Sequence, residues 1–226
     1  MTATSPLQAV LFDLDGTLLD TAPDFAIVVN QLRQRYGKTA LDYHTIRATV
    51  SQGASALITL AFQLQQGDEG FETLRQELLH LYSQHLAVET VLFPGISDVL
   101  DWLDRKQLPW GIVTNKPRLY AEPILESLQL NTRCHVLVCP DDVTHTKPNP
   151  ESLLLACKKI QCAANHTVYL GDHRRDIEAG HNAGMKTIVA NYGYIEPNDP
   201  TKNWQADFYV DHARDIKPLL ALHFTY

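Results

Sequence analysis

The sequence predicts an α/β fold, a parallel sheet covered by helices on both faces and interrupted by an inserted helical domain. Three observations predict it. From residue 96 onward, short apolar β-branched runs alternate with segments of helical period, the pattern of a parallel sheet with crossover helices. One more such run, Ala9–Phe12, stands near the N-terminus, yet roughly 90 residues separate Asp15 from the strand that ends at Thr114, well beyond what a crossover requires. The residues in between carry helical periodicity, so they read as an insertion.

The first strand sets the chemistry. Ala9, Val10, Leu11 and Phe12 form a continuous apolar run, as expected of a strand buried on both faces. Asp13 and Asp15 follow it, and residues i and i+2 of extended chain point to the same side. They stand where a parallel strand ends and ligands usually bind. Two close carboxylates in a low-dielectric pocket repel each other, so the pair calls for a divalent metal ion or for one acid that keeps its proton. A solvated turn at Asp15-Gly16 is the plainer alternative.

The insertion comes next. Phe25, Val28, Val29, Leu32 and Tyr36 recur at helical spacing before Gly37, Ala56–Phe62 is the apolar centre of a second helix, and Leu74, Leu78, Leu79 and Tyr82 mark a third. Residues 21–88 are therefore assigned to an inserted helical domain, with 1–20 and 89–226 forming the α/β core; a set of core helices packed on the sheet is the alternative. The loop Thr49–Ala54 is the candidate for substrate specificity. Gly53 permits close backbone approach, while Ser51 and Gln52 offer neutral donors and acceptors. The alternative is that Ser51 caps the following helix.

The core then resumes. A helix over Ile96–Leu103 leads to the strand through Trp110, which ends in a hydroxyl and an amide, Thr114 and Asn115, both able to donate hydrogen bonds. A Thr capping the next helix is the competing reading. The helix Tyr120–Leu128 leads to the strand His135–Cys139, after which Lys147 is held by the prolines that follow it, Pro148 and Pro150. The helix Ser152–Ile160 leads to the strand Thr167–Gly171, which ends in Asp172, with Asp176 four residues on. The helix Asp176–Ala183 precedes the strand Thr187–Val189. After the polar loop Glu196–Asn203, Phe208–Val210 adds a last strand.

Composition agrees with a globular α/β protein. The chain has 226 residues, 45% of them hydrophobic, and its mean hydropathy is -0.18, values of an ordinary globular chain able to bury a sizeable core. A net charge of -7 without a basic stripe argues against nucleic acid as partner. Cys134, Cys139, Cys157 and Cys162 include no Cys-x-x-Cys pair and lie among apolar residues, as free buried thiols of a reducing compartment do. The segment Met1–Pro6 lacks the basic and apolar regions of a signal peptide, and no apolar stretch reaches membrane-spanning length. A cytoplasmic protein with neither nucleic-acid nor membrane partner is expected.

Taken together, Asp-x-Asp-Gly-Thr at 13–17, Thr114-Asn115, Lys147 and Gly171-Asp172 with Asp176 resemble, in order and spacing over nearly the whole chain, the motifs of the haloacid dehalogenase superfamily of phosphatases. The resemblance implies a Rossmann-like core and a mobile helical cap. It implies that Asp13 is the nucleophile and Asp15 the general acid and base, that Thr114, Asn115 and Lys147 hold phosphoryl oxygens, and that Asp13, Asp15 and Asp172 bind Mg²⁺. Asp176 would steady the metal's water ligands. His173 stands where many relatives carry a small or acidic residue and is assigned to the rim. Oxygen ligands without histidine favour Mg²⁺ over Zn²⁺, and a carboxylate attacking a phosphate dianion needs such charge neutralisation.

By overall likeness the chain is similar to the phosphoglycolate phosphatase branch. The segments Val50–Ala54, Val113–Pro117, Ala121–Ile124, Val138–Asp141, Tyr192–Ile195 and Trp204–Asp207 resemble bacterial N-acetylmuramic acid 6-phosphate phosphatases still more closely, enzymes of carbohydrate metabolism and peptidoglycan recycling. A small phosphorylated metabolite is thus the expected substrate. The neutral Ser51–Gly53 loop suits a sugar ring, whereas Arg47, if it faces the site, would suit the carboxylate of phosphoglycolate. A phosphomutase on the same scaffold and a non-catalytic phosphoacceptor module of the signalling type are the other readings.

Overall fold

The computed structural model describes residues 5–226; residues 1–4, part of the segment read above as lacking a leader, lie outside the described residues. The chain enters through β1 (Ser5–Pro6) and β2 (Ala9–Phe12). All four residues of β2 are buried, because Val10 and Phe12 pack into one apolar cluster and Leu11 into another on the opposite face. Neither face of this strand needs a polar residue.

After β3 (Leu19–Asp20) the insertion begins. Helix α1 (Ala22–Arg35) carries Pro23 and Asp24 in its first turn and Arg33 and Arg35 in its last, which suits the helix dipole at both ends. Phe25, Val28, Val29 and Leu32 are buried as the spacing predicts, but Tyr36 lies past the helix and is 48% exposed. The short α2 (Tyr43–Arg47), absent from the sequence reading, starts at Asp42, whose carboxylate accepts the Thr45 N–H at 3.1 Å. Helices α3 (Ala54–Phe62) and α4 (Phe71–Ser83) follow. The insertion returns through β4 (Val91–Leu92), which pairs antiparallel with β3, Leu19 opposite Leu92. Entry and exit are therefore adjacent strands. Apolar contact runs without a break from this helical layer to one face of the sheet.

The remainder alternates as expected: α5 (Ile96–Arg105), β5 (Trp110–Val113), α6 (Arg118–Ser127), β6 (Val136–Val138), α7 (Glu151–Ile160), β7 (Thr167–Gly171), α8 (Arg174–Asn182), β8 (Lys186–Ala190), β9 (Phe208–Val210), α9 (Ile216–His223) and β10 (Phe224–Thr225). Six strands form one parallel sheet in the order β6-β5-β2-β7-β8-β9, and β1 pairs with β10 beside it. Helices α5, α6 and α9 bury their apolar sides on one face, and α7 and α8 on the other. The strand order reverses between β2 and β7, whose neighbours in register include Phe12 and Leu170. Such a switch point opens a crevice at the carboxyl ends of the strands, and Asp13 and Asp172 stand on its two sides. All four cysteines are free thiols; Cys139 and Cys157 are buried, while Cys134 and Cys162 are only partly so.

Candidate active site

The Asp13 N–H donates to the Leu170 carbonyl at 2.8 Å, extending the β2–β7 ladder by one residue. Its carboxylate then enters a cleft of about 280 Å³ between the sheet and the insertion, lined also by Asp15, Thr114, Asn115 and Lys147. The motifs distant in sequence therefore meet in one place.

Lys147 comes from the loop after β6, several residues past the strand. That loop is fixed by Asn115, whose side-chain amide donates to the Lys147 carbonyl at 3.1 Å and accepts its N–H at 3.2 Å. Asn115, expected at the phosphate, lines the cleft and at the same time fixes the Lys147 backbone. The buried ammonium lies 2.7 Å from Asp176 Oδ1 and 2.9 Å from Asp13 Oδ1, and it also donates to the Val113 carbonyl and the Tyr169 hydroxyl. Burial disfavours its charge, but Asp13 and Asp176 outweigh burial, and its pKa lies above the ordinary lysine value. Thr114 is buried, and its Oγ1 accepts the Lys116 N–H at 3.1 Å. It caps no helix: α6 begins after Pro117.

Asp13, Asp172 and Asp176 each bring a carboxylate oxygen within 4.8 Å of the others. The Asp15 side chain, expected among the metal ligands, lies outside this cluster. Its Oδ1 accepts from Thr21 Oγ1 at 2.6 Å and from Lys116 Nζ at 2.9 Å, which turn it toward the insertion. Asp176, expected to act through water, brings its carboxylate into this cluster while also pairing with Lys147 at 2.7 Å.

Asp172 accepts from Thr17 Oγ1 at 2.9 Å, the Tyr194 N–H at 2.9 Å and Ser51 Oγ at 3.2 Å. Two glycines let the backbone close on it. A Cβ at Gly16, whose φ is +81°, would stand 2.0 Å from Asp172 Oδ2, and one at Gly193 would stand 2.3 Å from Asp172 Cβ. The close packing has an electrostatic consequence. Burial, with Asp13 and Asp176 adding to it, pushes Asp172 up to about 8. Burial likewise raises Asp13 to about 6, with Lys147 opposing. Asp13 Oδ1 is buried, and its partner among the described residues is the Lys147 ammonium at 2.9 Å. Three buried or half-buried carboxylates with only one such cation among them, and with oxygen donors only, fit a hard divalent cation such as Mg²⁺. Asp13, Asp172 and Asp176 would hold it.

The loop Thr49–Ala54 reaches this cluster from the insertion. Ser51 belongs to a single 3₁₀ turn, Val50–Gln52, and bonds Asp172 rather than capping α3, which begins after Gly53. Gln52 is exposed and lines the cleft, as does Gly53, whose φ is +85°. Arg47 does not face the cleft. Its guanidinium donates to the Tyr192 and Gly193 carbonyls, each at 3.0 Å, and lies 4.7 Å from the Tyr194 ring centre. It fastens the insertion to the core. His173 caps α8, sits beside Glu196 at 3.3 Å and forms part of the cleft rim.

Three cations on the cleft wall had no assigned role in the sequence reading: Arg75, Lys116 and Arg175. Arg75 pairs with Glu72 on its own helix at 2.7 Å, and Arg175 bonds the His173 ring. Lys116 directly follows Thr114-Asn115 in sequence, but nothing in that motif tells which way its side chain turns.

The sequence profile of the haloacid dehalogenase-like hydrolase family matches residues 10–190. The chain is 46% identical to the N-acetylmuramic acid 6-phosphate phosphatase of Pseudomonas aeruginosa over 214 residues, 95% of either chain. It is 44% identical to the enzyme of that name from Pseudomonas putida, covering 95% of this chain and 96% of that one. Identity to the phosphoglycolate phosphatase of Xanthomonas campestris pv. campestris is 40%, over 92% of this chain and 94% of that one. Among solved structures, a predicted phosphoglycolate phosphatase from Haemophilus somnus superposes with a TM-score of 0.83 at 23% identity, covering 94% of this chain and 97% of that one, which is a likeness of fold.

Proposed function

Since this chain belongs to the haloacid dehalogenase-like hydrolase family and is a phosphatase, we propose that it is a Mg²⁺-dependent phosphomonoesterase that works through an aspartyl-phosphate on N-acetylmuramic acid 6-phosphate. The observation that carries the mechanism is Asp13 at the strand end, paired with the buried Lys147 and clustered with Asp172 and Asp176. It supports a nucleophilic carboxylate beside a cation that can neutralise phosphate, and the second acid two residues on, Asp15, favours turnover over a non-catalytic acceptor.

Asp13, Asp172 and Asp176 would hold Mg²⁺, which would supply charge neutralisation for the phosphoryl group. Lys147 and the Thr114 hydroxyl hold phosphoryl oxygens. An Asp13 oxygen attacks phosphorus and the ester P–O bond breaks, while Asp15 gives its proton to the leaving alcohol oxygen. Asp15 then takes a proton from the water that attacks the aspartyl-phosphate, which restores Asp13 and releases phosphate. Residues 21–88 act as the cap that covers the cleft and reads the alcohol portion.

Support for the substrate comes from the higher identity to the sugar-phosphate enzymes, 44% and 46% against 40%. The cleft adds to it: Phe25, Leu79, Tyr82 and Tyr120 contribute to its lining, apolar groups against which a sugar ring can pack. Charge does not separate the two esters, because both carry a carboxylate and Arg75 and Arg175 suit either. A phosphate-release screen with and without Mg²⁺ over N-acetylmuramic acid 6-phosphate, phosphoglycolate and common hexose phosphates tests the proposal. The muramic ester is expected to show the highest kcat/KM. A preference for phosphoglycolate would overturn the substrate, and full turnover in chelator would overturn the metal.

A further inference from the structure

Lys116 is buried in the loop between β5 and α6, yet the mechanism above makes no use of it. Its ammonium has three kinds of partner. It donates to Asp15 Oδ1 at 2.9 Å and to the Tyr82 hydroxyl at 2.8 Å, and it stands 4.7 Å from the Tyr82 ring centre and 5.0 Å from that of Phe25. Those two rings stack on each other, 4.0 Å apart and 12° from parallel. Tyr82 belongs to α4 and Phe25 to α1, so the lysine of the core is seated in a site built by the insertion. Burial opposes its charge, while Asp15 and Tyr82 restore it and hold its pKa above the ordinary lysine value.

The geometry at Asp15 gives this site a purpose. Thr21 and Lys116 both donate to the same oxygen, Oδ1. With Oδ1 doubly occupied, Oδ2 is the oxygen left free of these donors, and the two bonds fix the plane of the carboxyl group. We infer that Lys116 is a positioning residue for Asp15: seated against Tyr82 and Phe25, it fixes the Asp15 carboxyl group so that Oδ2 is the oxygen presented to the leaving group. This rests on the phosphatase reading. Lys116 itself touches no reacting atom, and its ion pair with Asp15 leaves Arg75 and Arg175 as the cations that face a substrate carboxylate.

Leaving groups distinguish positioning from support of the fold. A p-nitrophenolate departs without a proton, whereas a sugar alkoxide needs one. Lys116→Met keeps the apolar stem against Phe25 and Tyr82 and removes the ammonium. Its kcat/KM should fall by at least about tenfold for a hexose 6-phosphate or N-acetylmuramic acid 6-phosphate, the scale of lost general-acid assistance, and by less than about threefold for p-nitrophenyl phosphate. Tyr82→Phe removes one hydroxyl from the seat and should show the same split, smaller. It also serves if Lys116→Met does not fold. Adding Tyr82→Phe to Lys116→Met should cost nothing more, because the two act through one contact. Equal losses on both kinds of ester, or no loss on the sugar phosphate, would overturn the inference while leaving the phosphatase intact. A wild-type enzyme inert toward both esters would instead remove the phosphatase reading on which it rests.

Discussion

Ser51 Oγ donates a hydrogen bond to Asp172 Oδ2 at 3.2 Å across 121 residues of sequence. A loop of the insertion therefore touches an acid of the Asp13–Asp172–Asp176 cluster directly, while its neighbour Gln52 lines the cleft. The two residues should separate on mutation. Ser51→Ala is expected to raise the Mg²⁺ concentration for half-maximal activity several-fold, up to about tenfold for one hydrogen bond of ~0.5–1.5 kcal/mol, with little dependence on the ester. Gln52→Ala should instead lower kcat/KM for N-acetylmuramic acid 6-phosphate and barely change it for a small generic ester. Metal titrations and a substrate panel on both variants check this; a uniform fall for Gln52→Ala would show that the loop supports the fold and does not read the substrate.

Asp13→Asn should keep the fold and lose turnover. The amide is a very poor nucleophile, and the buried site loses a charge it tolerates poorly, Asp13 being raised to about 6 by burial. The melting temperature is expected to stay level or rise, while phosphate release falls by more than about a thousandfold. Substantial steady-state activity in the purified variant would remove the covalent step.

The acid cluster predicts how stability responds to pH. Burial holds Asp172 at about 8 and Asp13 at about 6, both above the unfolded carboxyl value of about 3.9. A raised carboxyl pKa means that the folded state binds more protons than the unfolded chain between the two values. Its contribution is full below about pH 4 and is lost as pH rises through 6 and then 8. Mg²⁺ competes with those protons, so the gain in melting temperature from saturating Mg²⁺ over chelator should widen between pH 6 and 8.5. A gain that is constant or shrinks across that range would refute the ligand set.

Arg47→Ala removes two hydrogen bonds to the Tyr192 and Gly193 carbonyls and the contact with the Tyr194 ring. The fold should lose about 1–3 kcal/mol, as for charge-assisted bonds to backbone. Because Arg47 stands outside the cleft, KM should change by the same factor for esters with and without a carboxylate. A selective loss on carboxylate esters would return Arg47 to the substrate site.

Much of the architecture was legible in the sequence because it depends on local pattern. Continuous apolar runs such as Ala9–Phe12 and Thr167–Gly171 mark strands buried on both faces, and the spacing of Phe25, Val28, Val29 and Leu32 marks a helix. Where the pattern was weakest the reading slipped. The five-residue α2 is too short to show a period, and Tyr36 continues the apolar spacing beyond the last helical turn.

The sequence by itself determined the order of the strands' chemistry: Asp13, Thr114, Lys147 and Asp172 each stand at or shortly after the end of an apolar run, and backbone direction alone carries such residues to one edge of a parallel sheet. Tertiary structure decided what each side chain meets there. Asp15 turns to Thr21 and Lys116 while Asp176 joins the acids, Asn115 supports Lys147, and Arg47 leaves the cleft to Arg75 and Arg175. The physical reason is that a strand fixes where a Cβ points, whereas the partner of a charged tip several bonds away depends on which elements distant in sequence pack around it and which charges they leave unsatisfied.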